Sequence, residues 1–556
     1  MSSAKLKVLI LGLDGFDPDL FAKWRRDLPN LNRLASAGVM RPLRSTTPPM
    51  TFPAWSTFLT GANPGKHGIF DFTERIPGKM GVRFLNATRR RYPTFLKQLS
   101  DAGVRVGSIG IPTTYPPEPL NGFTISGFDT PLPSKADRTY LYPPELSDLL
   151  QERLGGYSFG DFNESKITAG WHGQVLKQLF EGITRKIETA ELLIDEYAPE
   201  LLAVHVGETD TVGHHFWSFC DACSPRHVKA DSAEVGDAIQ GVYQAADKLV
   251  GELIAKGQPE LTLVVSDHGM GGTSDRMLYL NRFLEQAGFL KFNSGSVLSR
   301  SMAPLKKLGM TWLPYRWQQQ VFRLADGKIA SNIESMQRFG GIDWAETVAF
   351  SEELNYFSSI WLNVRGRDPF GCIAPEDVPK AAKILKEALL SWRDPADNQP
   401  VINAVHTRAE LYDGPEINFA PDLILELNRP EGYNFALGRT LSPHGIAPWR
   451  RLDPEEYIGY KGGTMNGSHR QYGTLMLYGT NIAADLDIPH PTLEDIAPTV
   501  LDYLNLPKAA WMDGKSLFSE SQDAASVARQ NPDEAPYSQQ EEASIRRKLE
   551  QLGYLD

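Results

Sequence analysis

The stretch LKVLILGLDG, residues 6–15, decides the fold. Its apolar run is short, is dominated by Leu, Val and Ile, and stops abruptly at Asp14 and Gly15. By length and composition it reads as a buried strand. Runs of the same kind recur in RVGSIGIP (105–112), ELLAVHVGE (200–208) and LTLVVSDHG (261–269). Helical patterns lie between them: LPNLNRLASAG (28–38) has leucines at helical spacing and a terminal Gly38, and RKIETAELLIDEYA (185–198) is another. Apolar strands alternating with helices predict an α/β fold with a mostly parallel central sheet and helices on both faces. In such sheets ligands bind outside the carboxyl ends of the strands.

Working outward, the rhythm changes from about residue 290 to 415, where aromatics, arginines and RGRDPFG (365–371) are read as an inserted cap, residues 291–415, that would govern substrate specificity. The core pattern is expected to resume with APDLILELN (420–428) and YGTLMLYGT (472–480) and to close with the helix TLEDIAPTVLDYLNL (492–506). The catalytic core is thus residues 1–290 and 416–520. Residues 521–556 read as a polar mobile linker followed by a short charged helix.

With 556 residues, the chain is too long for one simple core. Its 41% hydrophobic and 22% charged residues describe an ordinary globular protein. The net charge of −11 argues against a nonspecific nucleic-acid binder or a binder of anionic membranes. It leaves room for a small phosphorylated substrate held by metal ions. No apolar run reaches the length of a membrane span, and KVLILGL leads straight into Asp14, so it reads as a strand rather than a signal peptide. Three cysteines argue against a disulfide framework, and Cys220 and Cys223 form a lone C-x-x-C with no second pair. The expected compartment is the cytoplasm.

Three predicted strands run into carboxylates at their ends: Asp14, Asp210 and Asp267. Single Asp residues are common in turns, but two of these have histidine close behind. Asp210 and His214 lie four apart in DTVGH, so a helical turn would place both on one face. Asp267 adjoins His268, and Gly269 lets the backbone turn. Further on, GSHRQYG places His469 just before a strand. Mixed His and Asp donors suit zinc, with manganese as a substitute. His205 and His215 are read as residues that support the ligands or the fold rather than as ligands themselves.

The segment MTFPAWSTFLTG (50–61) sets a threonine where a helix should begin. Pro53 suits the first helical position and Gly61 the stop. Thr51 then lies at or beside the cap, among N–H groups that favour an anion. It is either a helix cap or a nucleophile, and the second role needs an activator.

Taken in order, GLDGF, TFPAWSTFLTGANPGKHGI, ETDTVGHH, VVSDHGM and the late GSH resemble the alkaline phosphatase superfamily. The likeness is to its type I phosphodiesterase/nucleotide pyrophosphatase branch and to bacterial relatives described as predicted phosphohydrolases or phosphomutases. It spans residues 14–469 without the insertion or the tail. The resemblance implies two divalent metal ions about 4 Å apart. One would be held by Asp210, His214 and His469, the other by Asp14, Asp267, His268 and the Thr51 oxygen. It also implies that Thr51 is the nucleophile of a two-step reaction through a covalent phospho-threonine. In the diesterase branch asparagine follows TFP and is expected to hold a phosphoryl oxygen; here that position is Ala54. The Phe52 backbone N–H or Lys66 is the candidate to compensate. The run Arg89–Arg90–Arg91 reads as an exposed charged face or an anion contact.

Two other readings fail on sequence. CSPRH (223–227) lacks the arginine spacing of a sulfatase nucleophile motif, and GLDGF lacks the glycine pattern of a dinucleotide-binding turn. A phosphodiesterase is expected first. A phosphomutase, phosphotransferase or phosphomonoesterase would use the same site. A non-catalytic phospho-ligand binder would have no need of Thr51.

Overall fold

The structure, a computed structural model, describes residues 6–131, 138–157, 170–293, 335, 338–354, 357–440, 447–458, 465–480, 482–518 and 537–551. Val8–Leu13 is the strand read from the opening stretch, and all six of its residues are buried. It lies inside an eight-stranded sheet, paired in parallel with Leu201–Val206 on one side and Leu261–Val265 on the other. Val106–Ile109 and Gly122–Ile125 continue the parallel run. The antiparallel members lie toward the two edges. Tyr472–Gly479 joins Leu261–Val265 to Val39–Arg44, and Leu141–Tyr142 closes the other side.

Alternation along the first strand divides the core in two. Leu9, Leu11 and Leu13 face a cluster built with the helices Trp171–Tyr197 and Ala238–Gly257. Val8 and Ile10 face a second cluster that contains the helices Thr51–Thr60 and Ile496–Tyr503. Both faces are covered, which is why the strands read as continuous apolar runs.

The segment APDLILELN does not return to this sheet. Leu423–Leu427 pairs with Ser359–Leu362 and Ile402–Thr407 in a separate antiparallel sheet of four strands. An apolar strand reads alike in either sheet, because periodicity does not identify a partner. The central sheet is rejoined only at Tyr472–Gly479. A long strand, Gly269–Leu278, leaves the end of Leu261–Val265 and pairs antiparallel with Gly467–Arg470, which sets His469 opposite Met270. The closing helix Gln539–Gln551 docks on the core with Ile545 and Leu549 fully buried. The Tyr537 hydroxyl donates to the Asp129 carbonyl at 2.7 Å. The linker reading of 521–536 falls outside the described residues. Among the described residues no helix is long and apolar enough to cross a membrane.

Candidate active site

The sheet brings the acidic strand ends together. Asp14 follows Val8–Leu13, Asp267 follows Leu261–Val265, and Asp210 sits in the first turn of Glu208–Cys220, the helix that leaves Leu201–Val206. That helix puts His214 one turn after Asp210, with Nε2 3.2 Å from Asp210 Oδ1. His469 Nε2 lies 3.1 Å from His214 Nε2 and 3.6 Å from Asp210 Oδ1. The His268 ring stacks on the His469 ring at 3.6 Å. All six residues predicted as metal ligands from Asp and His are thus gathered and buried.

Two groups of donor atoms emerge, each within 4.8 Å: Asp14, Asp267 and His268, and Asp210, His268 and His469. His268 belongs to both, which the sequence reading, with one set per ion, did not foresee. His214 still faces the second group through its contacts with Asp210 and His469.

The tautomers are set by backbone carbonyls. Nδ1–H of His214 donates to Gly467 at 2.8 Å, that of His469 to Pro49 at 2.8 Å, and that of His268 to Gly269 at 3.0 Å. Each Nε2 lone pair is therefore turned into the cluster, the orientation a metal ligand requires. Tetrahedral zinc with bonds near 2.05 Å sets its ligand atoms about 3.3 Å apart, close to the spacings of 3.1, 3.2 and 3.6 Å found here. Asp14 Oδ1 and Asp267 Oδ2 are buried and accept no hydrogen bond. Oxygens so placed are costly unless a cation meets them. The donor set fits zinc or manganese.

The electrostatics agree. Burial, with the Asp14 and Asp210 charges beside it, pushes the Asp267 carboxyl well above its ordinary range. Burial would raise Asp14 too, but the His205 bond and charge hold it below. Burial and the neighbouring His268 and His214 hold His469 far below an ordinary imidazole, so it is neutral and offers its lone pair.

Thr51 is the first residue of the helix Thr51–Thr60, and Gly61 ends it in the left-handed region at φ 66°. Pro53 falls at the third helical position rather than the first, where its missing N–H is equally without an intrahelical acceptor. The N-terminal flank is Met50, with no side-chain capping bond, so the capping role weighed for Thr51 is not what the structure places there. Thr51 Oγ1 instead lies 3.4 Å from His268 Nε2.

Other expectations change. Ala54 belongs to the apolar cluster of Val8, Ile10 and Phe58, so a longer side chain at this position would enter the core rather than meet a phosphoryl oxygen. Lys66 is ion-paired with Asp513 and donates to the Trp511 carbonyl. The Phe52 ring packs on Phe72 and Phe128, leaving only its backbone as a candidate contact. The arginine run is not an exposed face. Arg89 is buried between Glu74 and Glu416 at 2.7 and 2.9 Å, Arg91 pairs with Glu416, and Arg90 donates to the Thr113 carbonyl. In the insertion, Arg367 pairs with Asp422.

Two side chains support Asp14, of which Trp55 escaped the sequence reading. Trp55 Nε1 donates to Asp14 Oδ2 at 3.0 Å, and His205 Nε2 donates to the same oxygen at 2.8 Å. Trp55 stands four residues after Thr51, so helical spacing carried the signal for a shared face. The Pro49 and Gly467 carbonyls carried none.

A mostly parallel α/β sheet with carboxylates and histidines converging beyond its strand ends defines an enzyme scaffold with a candidate metal site. The chain belongs to the type I phosphodiesterase/nucleotide pyrophosphatase family, whose profile matches residues 8–450. An uncharacterised pyrophosphatase/phosphodiesterase of Schizosaccharomyces pombe is 27% identical over 309 residues, covering 54% of this chain and 50% of that protein. Ectonucleotide pyrophosphatase/phosphodiesterase family member 3 of Mus musculus is 37% identical over 65 residues, covering 12% of this chain and 7% of that one. The chain thus spans half or less of these curated relatives. Among solved structures, phosphonoacetate hydrolase from Sinorhizobium meliloti 1021 aligns with a TM-score of 0.49 and 16% identity, over 89% of this chain and 94% of that one. Human ectonucleotide pyrophosphatase/phosphodiesterase 5 aligns at 0.45 and 13%, over 92% and 97%.

Proposed function

We propose that the protein is a metal-dependent phosphohydrolase, a phosphodiesterase or nucleotide pyrophosphatase, in which Thr51 is the nucleophile. One observation carries this reading: Thr51 Oγ1 sits at a helix start beside Nε2 of His268, the residue common to both donor groups. Asp14, Asp267, His268 and the Thr51 oxygen would hold one divalent ion, and Asp210, His214 and His469 the other. When bound, such ions polarise phosphoryl oxygens and favour the alkoxide of a coordinated hydroxyl.

The chain's own groups do the rest. Trp55 and His205 orient Asp14, and the backbone carbonyls of Pro49, Gly467 and Gly269 orient the three imidazoles. The helix start presents N–H groups to the phosphoryl oxygens. Thr51 Oγ attacks phosphorus, the bond to the leaving oxygen breaks, and phospho-threonine forms. Water then attacks the phosphorus in line, the P–Oγ bond breaks, and the Thr51 hydroxyl is restored. An alcohol in place of water would make the same site a transferase or mutase.

The test is turnover of bis-p-nitrophenyl phosphate and p-nitrophenyl phosphate by chelated protein reloaded with zinc or manganese, for wild type and Thr51→Ala. Metal-dependent turnover lost in the variant is expected, with the diester faster. Equal rates for the two proteins would remove Thr51 from the mechanism, and a faster monoester would overturn the diesterase assignment.

A further inference from the structure

Five consecutive backbone carbonyls lead toward the Thr51 helix, and each accepts a hydrogen bond from a side chain. The strand Val39–Arg44 ends its ladder where Arg44 faces Tyr472. Residues 45–49 then run on to Met50 and Thr51 and include Pro48 and Pro49, which have no N–H to extend a ladder. Gln471 Nε2 donates to the Ser45 carbonyl at 2.8 Å and to that of Thr46 at 2.9 Å. The Tyr412 hydroxyl donates to the Thr47 carbonyl at 2.7 Å, the Thr46 hydroxyl to that of Pro48 at 2.9 Å, and His469 Nδ1–H to that of Pro49 at 2.8 Å. Most backbone carbonyls are met by backbone N–H groups, so an unbroken run of five held by side chains sets this strap apart from the ladders around it.

The strap is gripped by two parts of the chain. Gln471 stands two residues after His469, so one short stretch carries a candidate metal ligand and also holds the strap. Tyr412 follows the strand Ile402–Thr407 of the separate sheet and the short helix Arg408–Leu411. It is buried, and its ring packs edge-on to Phe70 at 5.1 Å. Burial raises its phenol above the ordinary range, so the hydroxyl stays protonated and donates. Only Met50 separates the strap from Thr51, so the course of the strap decides where Thr51 Oγ1 lies, now 3.4 Å from His268 Nε2. A misplacement of about 1 Å at a reacting atom can cost about a hundredfold in rate. A cleft of about 790 Å³ is walled in part by Thr47, Pro48, Pro49 and His469, whereas Tyr412 and Thr46 are not part of that wall. These two can act on a substrate in the cleft only through the strap.

We propose that Tyr412 and Gln471 are positioning residues for the nucleophile: they fix the strap 45–49 so that the Thr51 hydroxyl is aimed at phosphorus and His469 keeps its acceptor at Pro49. Tyr412 thereby makes the placement of Thr51 depend on the part of the chain that carries the separate sheet. The inference rests on the phosphohydrolase reading above.

The experiment measures kcat, KM and melting temperature of the metal-loaded full chain on bis-p-nitrophenyl phosphate. The variants are Tyr412→Phe, Thr46→Val and Gln471→Met, each close to the original side chain in shape and lacking its donor. Tyr537→Phe is the control, because it too removes a buried tyrosine hydroxyl that donates to a backbone carbonyl at 2.7 Å, that of Asp129. The expected result is a kcat lowered about three- to tenfold in Tyr412→Phe and in Thr46→Val, with KM unchanged, and about tenfold or more in Gln471→Met, which loses two bonds. Tyr537→Phe should lower the melting temperature about as much as Tyr412→Phe and keep the kcat of wild type. Thr46→Val, on the strap itself, keeps the test independent of how well Tyr412→Phe folds. A wild-type kcat in Tyr412→Phe and Thr46→Val overturns the positioning role, as does an equal loss of kcat in Tyr537→Phe or a loss expressed in KM alone. Turnover retained in Thr51→Ala removes the nucleophile that the strap would position. No turnover by wild type overturns the phosphohydrolase reading, and the inference falls with it.

Discussion

His205→Phe tests whether the cluster is a metal centre without touching any donor in it. His205 donates to Asp14 Oδ2 at 2.8 Å and leaves Oδ1 facing the cluster. Phenylalanine, a somewhat larger planar ring, keeps the edge-on packing against Trp55, whose ring centroid is 5.1 Å away. What is lost is one hydrogen bond to a buried carboxylate, worth about 1.5–3 kcal/mol. At about 1.4 kcal/mol per decade this is a weakening of roughly 10- to 150-fold, in line with the about 10–100-fold typical of groups that orient metal ligands. Because Trp55 still donates to the same oxygen at 3.0 Å, the lower end of the range, about tenfold, is expected. The assay is turnover of bis-p-nitrophenyl phosphate by chelated enzyme against buffered free zinc or manganese, reading the half-saturating concentration. His205→Gln, whose amide N–H can donate to Asp14, should recover most of the loss. A half-saturating concentration in His205→Phe equal to that of wild type, with an unchanged melting temperature, would refute the reasoning.

Further expectations follow from other parts of the fold. Chelation should lower the melting temperature and metal should restore it, since Asp14, Asp210 and Asp267 are buried together and an ion bound only to the folded state stabilises it. Burial, with Arg90 and Arg89 nearby, pushes His67 down to about 3. The unfolded chain takes up a proton below about 6.5 that the folded chain refuses, so stability should fall with decreasing pH by about 1.4 kcal/mol per unit. His67→Gln should flatten that slope in urea titrations at pH 7.5 and 5.5. Arg89→Met removes the partner that Glu74 and Glu416 share, but Arg83 and Arg91 still pair with them, so the cost by urea denaturation should be about 1.5–3 kcal/mol, that of a lost charged hydrogen bond. Leu549→Ala should cost about 2–5 kcal/mol if the closing helix unfolds with the core; unchanged stability would show that it does not.

The sequence by itself determined what local chemistry determines. Val8–Leu13, Leu201–Val206 and Leu261–Val265 were legible because a strand buried on both faces is apolar throughout. The carboxylates Asp14, Asp210 and Asp267 stood out because each follows such a run, and the DTVGH spacing already put His214 on the face of Asp210. Thr51 was legible as the start of a helix ended by Gly61.

Tertiary structure alone decided the partners. Nothing local says whether Leu423–Leu427 joins the central sheet or the separate one, since both offer an apolar face and the choice depends on which strand edge is free. Nothing local says that Arg89 meets Glu416, 327 positions away, rather than solvent. The same holds for the carbonyls of Pro49 and Gly467 that turn His469 and His214 inward: a backbone carbonyl is the same group at every residue, and only the fold selects which one an imidazole will find.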